Sequence, residues 1–425
     1  MKPDRKNGPG GSRIAQLDFP HNAGLDLGQG RTGWIYPTPG AGVARLYVVY
    51  PGGMSAVEKS WFLHAATHLQ LSGNDEFSAA SIQEQLESLG ASAELSTEGR
   101  YCQLTISAQT QHIADALKLW LKFSDSVTFP ESEIEVYRSG AISDLQSRQT
   151  TPRYWSQRRL QEALYGNKHY LGRFSEIADI QGVNASLLNK YSKFYPGVKP
   201  YFVILCGDVD NDLLLAIGGL LGAPQKPLVQ PSWERIISEE RFIETEVANT
   251  NQVSISMGKA GIIISEEDYY AAWLLNTLLG GFFGSRLMKN IREEKGLTYG
   301  IHSSLMNSGD HYQWYIQSEV RSGMEHLVLD EIKSELNLLC QSLTNSEELD
   351  KVKQYLSGNL KMSFDGVFSM AGKRRELNLL GRDDTFYDKA IQAIHETGSD
   401  KILELANNFL IPETFHVSVA GLLKK

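Results

Sequence analysis

Apolar positions along the 425-residue chain change period repeatedly, and each change marks an element. Between Trp34 and Tyr50, the β-branched and aromatic runs WIYPTP and VARLYVVY predict strands, closed by a Pro-Gly-Gly turn at 51–53. From Ser60 to Leu71 the apolar residues take helical spacing, and turn-forming residues at 72–78 end the segment. A second helix is predicted for Ser81–Leu89, stopped by Gly90, and the alternation in ASAELS and YCQLTISA predicts a strand pair. Amphipathic helices follow over Ile113–Phe123 and Glu131–Gln149, with another over Pro152–Tyr165 after a Thr-Pro break. Asn184–Tyr195 reads as helix, 201–210 as a buried strand and Asp212–Leu221 as helix.

The same order then returns. QVSISMGKA at 252–260 is a predicted strand, Glu267–Leu279 and Ser285–Glu294 are helices, and Tyr299–Met306 with His311–Val320 form a strand pair. Long helices over Met324–Leu343 and Ser346–Ser363, some shorter ones and the strand FHVSVAG at 415–421 complete it, the last mirroring YFVILCG at 201–207. A period near 200 residues is a duplicated architecture rather than a short solenoid repeat, so the pattern predicts two tandem α+β domains. GAPQKPLVQPS at 222–232 has three prolines in eleven residues and reads as the linker. The expected division is a flexible tail at 1–15, an N-terminal domain at 16–221, the linker, and a C-terminal domain at 233–425.

Composition narrows the function classes. A net charge of −9 and a pI near 5.7 argue against nucleic acid as the main partner. The N-terminal MKPDRKNGPGGSR has no apolar run behind it, and no stretch reaches the roughly 18 apolar residues of a membrane span, so a cytoplasmic protein without membrane association is expected. Cys102, Cys206 and Cys340 are too few and too scattered for a disulfide framework or a Cys-based zinc motif.

Candidate chemistry lies in two places. Within the predicted helix at 60–71, His64-Ala65-Ala66-Thr67-His68 sets two histidines at i and i+4, on one helix face and within reach of one metal ion. Two helix histidines are equally compatible with a plain polar face. In the second half, LGGFFGSRLMKNIREEKGLTYG at 279–300 combines a Gly280-Gly281 turn, a helix and an emerging strand, and holds Arg292 and Tyr299 seven residues apart.

The second stretch resembles the C-terminal-domain signature of the pitrilysin, insulinase and mitochondrial processing peptidase family of zinc peptidases, and blocks from about residue 30 onward resemble the family too. The resemblance implies two tandem homologous α/β-sandwich domains of the LuxS/mitochondrial processing peptidase type, forming half of a clam-like chamber. It also implies that Arg292 and Tyr299 hold substrate and transition state in a partner's site, with Gly280 and Gly281 beside the peptide. In the family's inverted H-x-x-E-H motif a glutamate base precedes the second histidine; here that position is Thr67, which cannot take a proton from water at neutral pH. The third family ligand is a glutamate; Asp144, 76 residues beyond His68, holds its place one methylene short, and Glu94 stands where the family usually has Asn. His64, His68 and Asp144 thus form at most a vestigial, weak zinc site, with no tightly bound cofactor expected and the working zinc carried by a partner subunit.

The expectation is a catalytically deficient, substrate-positioning subunit that dimerises with a homologue bearing an intact H-x-x-E-H and binds peptides as added strands. A non-proteolytic scaffold of the same fold is the alternative, and a self-sufficient zinc endopeptidase with an atypical base is a third.

Overall fold

The computed structural model describes residues 17, 19–20, 22–192, 202–221 and 231–422. The predicted tail at 1–15, residues 222–230 of the predicted linker and the end of the predicted 184–195 helix lie outside them.

The first half contains β1 (Leu25–Asp26), β2 (Thr32–Pro37), β3 (Val43–Pro51), β4 (Ser92–Thr97), β5 (Tyr101–Gln109) and β6 (Phe202–Gly207), in the spatial order β1-β2-β6-β3-β5-β4. The second contains β7 (Phe242–Glu246), β8 (Gln252–Ile262), β9 (Thr298–Asn307), β10 (Tyr312–Arg321) and β11 (His416–Gly421), in the order β7-β11-β8-β10-β9. Leaving β1 aside, both sheets place their strands first-fifth-second-fourth-third, and in both the first and fifth strands pair in parallel. The fold is therefore a duplicated α/β unit. The hydrophobic pattern did not announce β1 or β7; β1 has only two residues, and β7 is a five-residue sheet edge with exposed and half-buried residues alternating.

One face of each sheet is covered by helices of its own half. Leu46 and Val48 of β3 pack with Leu117 and Trp120 of the Ile113–Ser126 helix and with Leu214 and Ile217 of the Asn211–Leu220 helix. Val253, Ile255 and Met257 of β8 pack with Ile332 and Leu336 of the Glu325–Gln341 helix and Leu405 of the Ser399–Phe409 helix.

The opposite faces are covered by helices from the other half. The Val367–Leu380 helix lies on the first sheet, where Ala371 joins Tyr36, Tyr47, Val49, Phe202 and Ile204 in one buried cluster. Arg374 of this helix is 3% exposed; its Nε donates to the Tyr36 hydroxyl at 3.0 Å, its guanidinium pairs with Asp384, and it lies over the Phe19 and Trp34 rings. A charge so deep is tolerable because it is paired and hydrogen-bonded.

In return, the Pro152–Tyr165 helix lies on the second sheet against β8 and β11. Here the sheet is small and polar: the Ser156 hydroxyl bonds those of Ser254 and Ser256, both at 2.9 Å, and Gln157 donates to Gln317 at 3.2 Å. A Cβ on Gly258 would come within 3.2 Å of Leu160, so the missing side chain is what lets the helix approach. At the end of this helix His169 is stacked between Tyr165 and Tyr170, at 4.9 and 4.8 Å. Burial, and then the nearby His311, push its pKa down to about 4. Among the described residues no helix is long and apolar enough to cross a membrane.

Because each sheet is completed by the other half, the intact chain should unfold in one cooperative step, with calorimetric and van't Hoff enthalpies equal; two resolved transitions would contradict the exchange. Gly258→Val should destabilise by about 1–3 kcal/mol through overpacking, read as a lower Tm. His169 is neutral when folded and protonates more readily once unfolded. Its contribution is therefore complete above the ordinary value of 6.5 and is lost progressively as pH falls towards about 4. His169→Phe should flatten the stability slope between those values; an unchanged slope would assign it to other groups.

Candidate functional site

The histidine-bearing helix spans Ser60–His68. Phe62, Leu63, Ala65, Ala66 and Thr67 are buried, which turns His64 and His68 outward together, one turn apart as the spacing predicts. Tyr137 of the Glu131–Gln149 helix lies against both: its hydroxyl is 3.4 Å from His64 Nδ1 and its ring is 5.3 Å from that of His68. Desolvation, then the charges of His68 and Arg148, lower the His64 pKa, while burial pushes the Tyr137 hydroxyl up to about 12.

Asp144 is not brought to this pair as a third ligand. It is exposed and forms an ion pair with Arg148 at 2.8 Å, one turn along its own helix. Among the described residues no three His, Cys, Asp or Glu side chains converge where they could hold a metal ion. The expected weak site of His64, His68 and Asp144 is therefore not assembled. Asp144 is engaged by an arginine whose charge already acts on His64, and a nearby cation opposes binding of another.

Thr67 is 5% exposed and fully engaged. Its hydroxyl donates to the His64 carbonyl at 2.9 Å and lies 2.9 Å from the hydroxyl of Thr97, which also accepts from Cys102 at 3.3 Å. Through these bonds Thr67 ties the helix to the edge strand β4. Glu94, on the same strand, is exposed.

In the second half the Glu266–Asn276 helix runs on into π-type turns over Thr277–Gly281, and the expected helix at 285–294 takes the same wide turn over Met288–Glu294. A Cβ on Gly280 would stand 2.6 Å from the Ser303 backbone nitrogen, so glycine is required for the helix to seat against β9. Asn276 and Ser303 close that contact through three hydrogen bonds of 2.9–3.3 Å. Gly281, by contrast, is exposed. Arg286 grips Glu348 through Nε and Nη2, at 2.9 and 2.8 Å, and Asn290 donates to the buried Glu335 at 2.7 Å, which fixes the helix carrying Arg292.

Arg292 lies over the ring of Phe283, 4.9 Å from its centroid. Past a left-handed turn at Gly296 the chain enters β9, the free edge of its sheet. The ladder slips there: Thr298 faces Val320 and Ile301 faces Ser318, so Tyr299 and Gly300 together stand opposite Glu319. This bulge is pinned from inside by the Thr298 hydroxyl, which donates to Gly300 O and Glu319 O, and by Ser318, which donates to Gly300 O. Its result is a Tyr299 side chain that is 82% exposed.

Tyr299 lines a cavity of about 380 Å³ together with His302 and Arg153; Arg292 is not part of its wall. Arg153 comes from the first half, on the exchanged 152–165 helix, and its charge, second to burial, depresses the His302 pKa. Arg153 and the bulge are residues the sequence reading missed. The glycine inside a strand pattern at Thr-Tyr-Gly was an available sign of the bulge, whereas nothing local connects Arg153 to β9.

Two family profiles match the chain: "Insulinase (Peptidase family M16)" over residues 62–173 and "Peptidase M16 inactive domain" over 185–356. A curated relative from Bacillus subtilis named "Uncharacterized zinc protease YmxG" is 22% identical, over 81% of this chain and 84% of the relative. "Non-peptidase homolog YmxG" from Helicobacter pylori is also 22% identical, over 87% and 86%. Among solved structures, a peptidase M16 inactive domain from Pseudomonas fluorescens superposes with a TM-score of 0.81 at 18% identity, over 95% of this chain and 99% of the other.

If Arg148 and the short Asp144 bar a metal, the double variant Asp144→Glu, Arg148→Ala should bind zinc at least about tenfold more tightly than the natural chain in a chelator-competition titration. Equal affinities would show that the obstacle lies elsewhere.

Proposed function

The chain belongs to the M16 family of insulinase-type peptidases, and we propose that it is a catalytically deficient member that positions peptides for the zinc site of a homologous partner subunit. The observation that carries this reading is the contrast between the two halves. At the position of the base, Thr67 is consumed by Thr97 and by its own helix, and Asp144 by Arg148. On the equivalent edge strand of the second half, a pinned bulge presents Tyr299 outward. The relative named as a non-peptidase homolog is in keeping with it.

On this reading the partner, with an intact H-x-x-E-H, supplies the metal and the base. This chain supplies an unpaired strand edge, β9, along which a peptide backbone adds as a further strand, so that affinity comes mainly from main-chain hydrogen bonds and sequence preference is slight. The Tyr299 hydroxyl donates a hydrogen bond to the oxygen on which charge develops, and Arg292 turns from Phe283 to donate to a substrate carbonyl. The dimer is with such a homologue, and nucleic acid and membranes have no part in it. One observation favours the second reading, a scaffold without proteolytic role: Arg292 is stacked on Phe283 and stands outside the wall that Tyr299 lines.

The test is cleavage of a quenched fluorescent peptide library by the chain alone and in complex with an H-x-x-E-H homologue. Activity is expected only in the complex, with kcat/KM lowered about 10²-fold by Tyr299→Phe or Arg292→Ala. Chelator-sensitive cleavage by the chain alone would refute the proposal. Full activity of the complex with both variants would transfer the assignment to the scaffold.

A further inference from the structure

From Tyr299 the edge strand β9 leads to a second, larger cavity. Its last two residues, Met306 and Asn307, with Ser308 and Gly309 of the turn that follows, form part of the wall of a cavity of about 880 Å³ between the two halves. The first half contributes β2, β6 and the β4–β5 turn to that wall, and the end of the exchanged 367–380 helix adds a further side. Trp34, Tyr101, Leu171, Leu379 and Leu380 in the wall are half-buried rather than sealed off, and Met306 is 38% exposed. Open apolar and aromatic surface in a concave site, within the roughly 300–1,000 Å³ of ligand clefts, is the usual make-up of a binding pocket. The charged residues of the wall carry both signs: Glu98 stands with Arg100, which packs on Gly309, and Arg382, which is paired with Glu266 at 2.7 Å. The wall therefore favours apolar surface rather than a net charge.

The alternation of β9 connects this cavity to Tyr299. Ile301 and Leu305 pack into the core of their own half, and Ser303 bonds Asn276 there. His302, Ser304 and Met306 therefore face the other way, to the side covered by the exchanged 152–165 helix. His302 lines the smaller cavity with Tyr299, and Met306 lines the larger one. The bulge then sets the count between the two ends. Because Tyr299 and Gly300 share one partner, β10 covers the span from the bulge to Met306 between Glu319 and Gln313, about six regular residues or roughly 20 Å. A regular peptide strand on the free edge of β9 covers that distance in the same number. The number is even, so the side chains at its two ends lie on one face, and a residue held beside Tyr299 brings another to the mouth of the larger cavity.

We propose that the larger cavity is a remote anchor site for the substrate peptide, taking an aromatic or large aliphatic side chain about six residues from the scissile bond. The inference rests on the reading that peptides add along β9, and it narrows that reading. Main-chain bonding near Tyr299 discriminates little between sequences, so the anchor supplies the preference and sets the register in which a peptide is presented. An aromatic ring in the cavity meets Trp34 and Tyr101 from the first half and Met306 from the second, so the anchor forms only where the two halves are assembled.

The probe is a peptide of about twenty residues, built from Ala, Ser and Lys with a single Phe, incubated with the complex of the full chain and an H-x-x-E-H homologue, with the cuts mapped by mass spectrometry. The dominant cut is expected about six residues from the Phe and should move in step when the Phe is moved. The Phe-free peptide should be cut at least about tenfold more slowly and at scattered bonds. Two variants close the cavity by different means: Met306→Glu charges its wall at an already exposed position, and Leu380→Trp fills it. With either, the cuts should no longer follow the Phe; the unfolding temperature of each variant shows that it is folded. Cuts that keep their places when the Phe moves, that follow it at a different distance, or that follow it equally in both variants overturn the anchor and leave the peptide-positioning reading standing. If the complex cuts none of the peptides, that reading falls and the anchor with it.

Discussion

Each sheet here has two faces to bury and enough helix of its own for only one. That constraint, resolved by lending the helix at 152–165 to the second sheet and borrowing the helix at 367–380 for the first, underlies the rest of the molecule. Both helices sit between the fourth and fifth strands of their unit, so the duplication itself makes the exchange reciprocal. The two seams are solved with different chemistry. The first is aromatic and aliphatic around one buried, paired arginine. The second is a serine and glutamine layer whose small side chains and Gly258 let helix and sheet approach closely. Satisfied polar contacts of this kind fix one register, where a greasy face tolerates several.

The exchange also joins features that are remote in sequence. It carries Arg153 of the first half to the cavity beside Tyr299, and it sets Gln161 and Asn378 into the wall of the larger interdomain cavity. A change in how the halves meet thus bears on both places through the same two helices.

Much of this was legible in the residues, and the failures have physical causes. The shared helix face of His64 and His68, a side chain at Thr67 that cannot serve as a base, and the repetition of the strand order all follow from local spacing and side-chain chemistry. The partner of Asp144 did not, because spacing alone cannot show that Arg148, one turn away, competes for the carboxylate. The strand at 252–260 was predicted without its environment: Ser254, Ser256 and Gly258, alternating with Val253, Ile255 and Met257, form a face that only the visiting helix makes a second core. The wide turns over Met288–Glu294 leave no mark on the apolar period, since a seven-residue stretch is too short to separate the two helical pitches.

The Thr67–Thr97 contact carries an evolutionary implication. In a lineage that has merely lost a base, one substitution restores it. Here the vacated position has been absorbed into the join between helix and edge strand, with Cys102 bonded to the same threonine. A glutamate at 67 would have to place a carboxylate in a 5%-exposed position beside a hydroxyl already shared, with Arg148's charge directed at His64 and Asp144 rather than at a metal. The way back passes through less stable intermediates, so the clasp acts as a ratchet. It fastens the helix to the edge strand, so a restored base would come at the expense of that join.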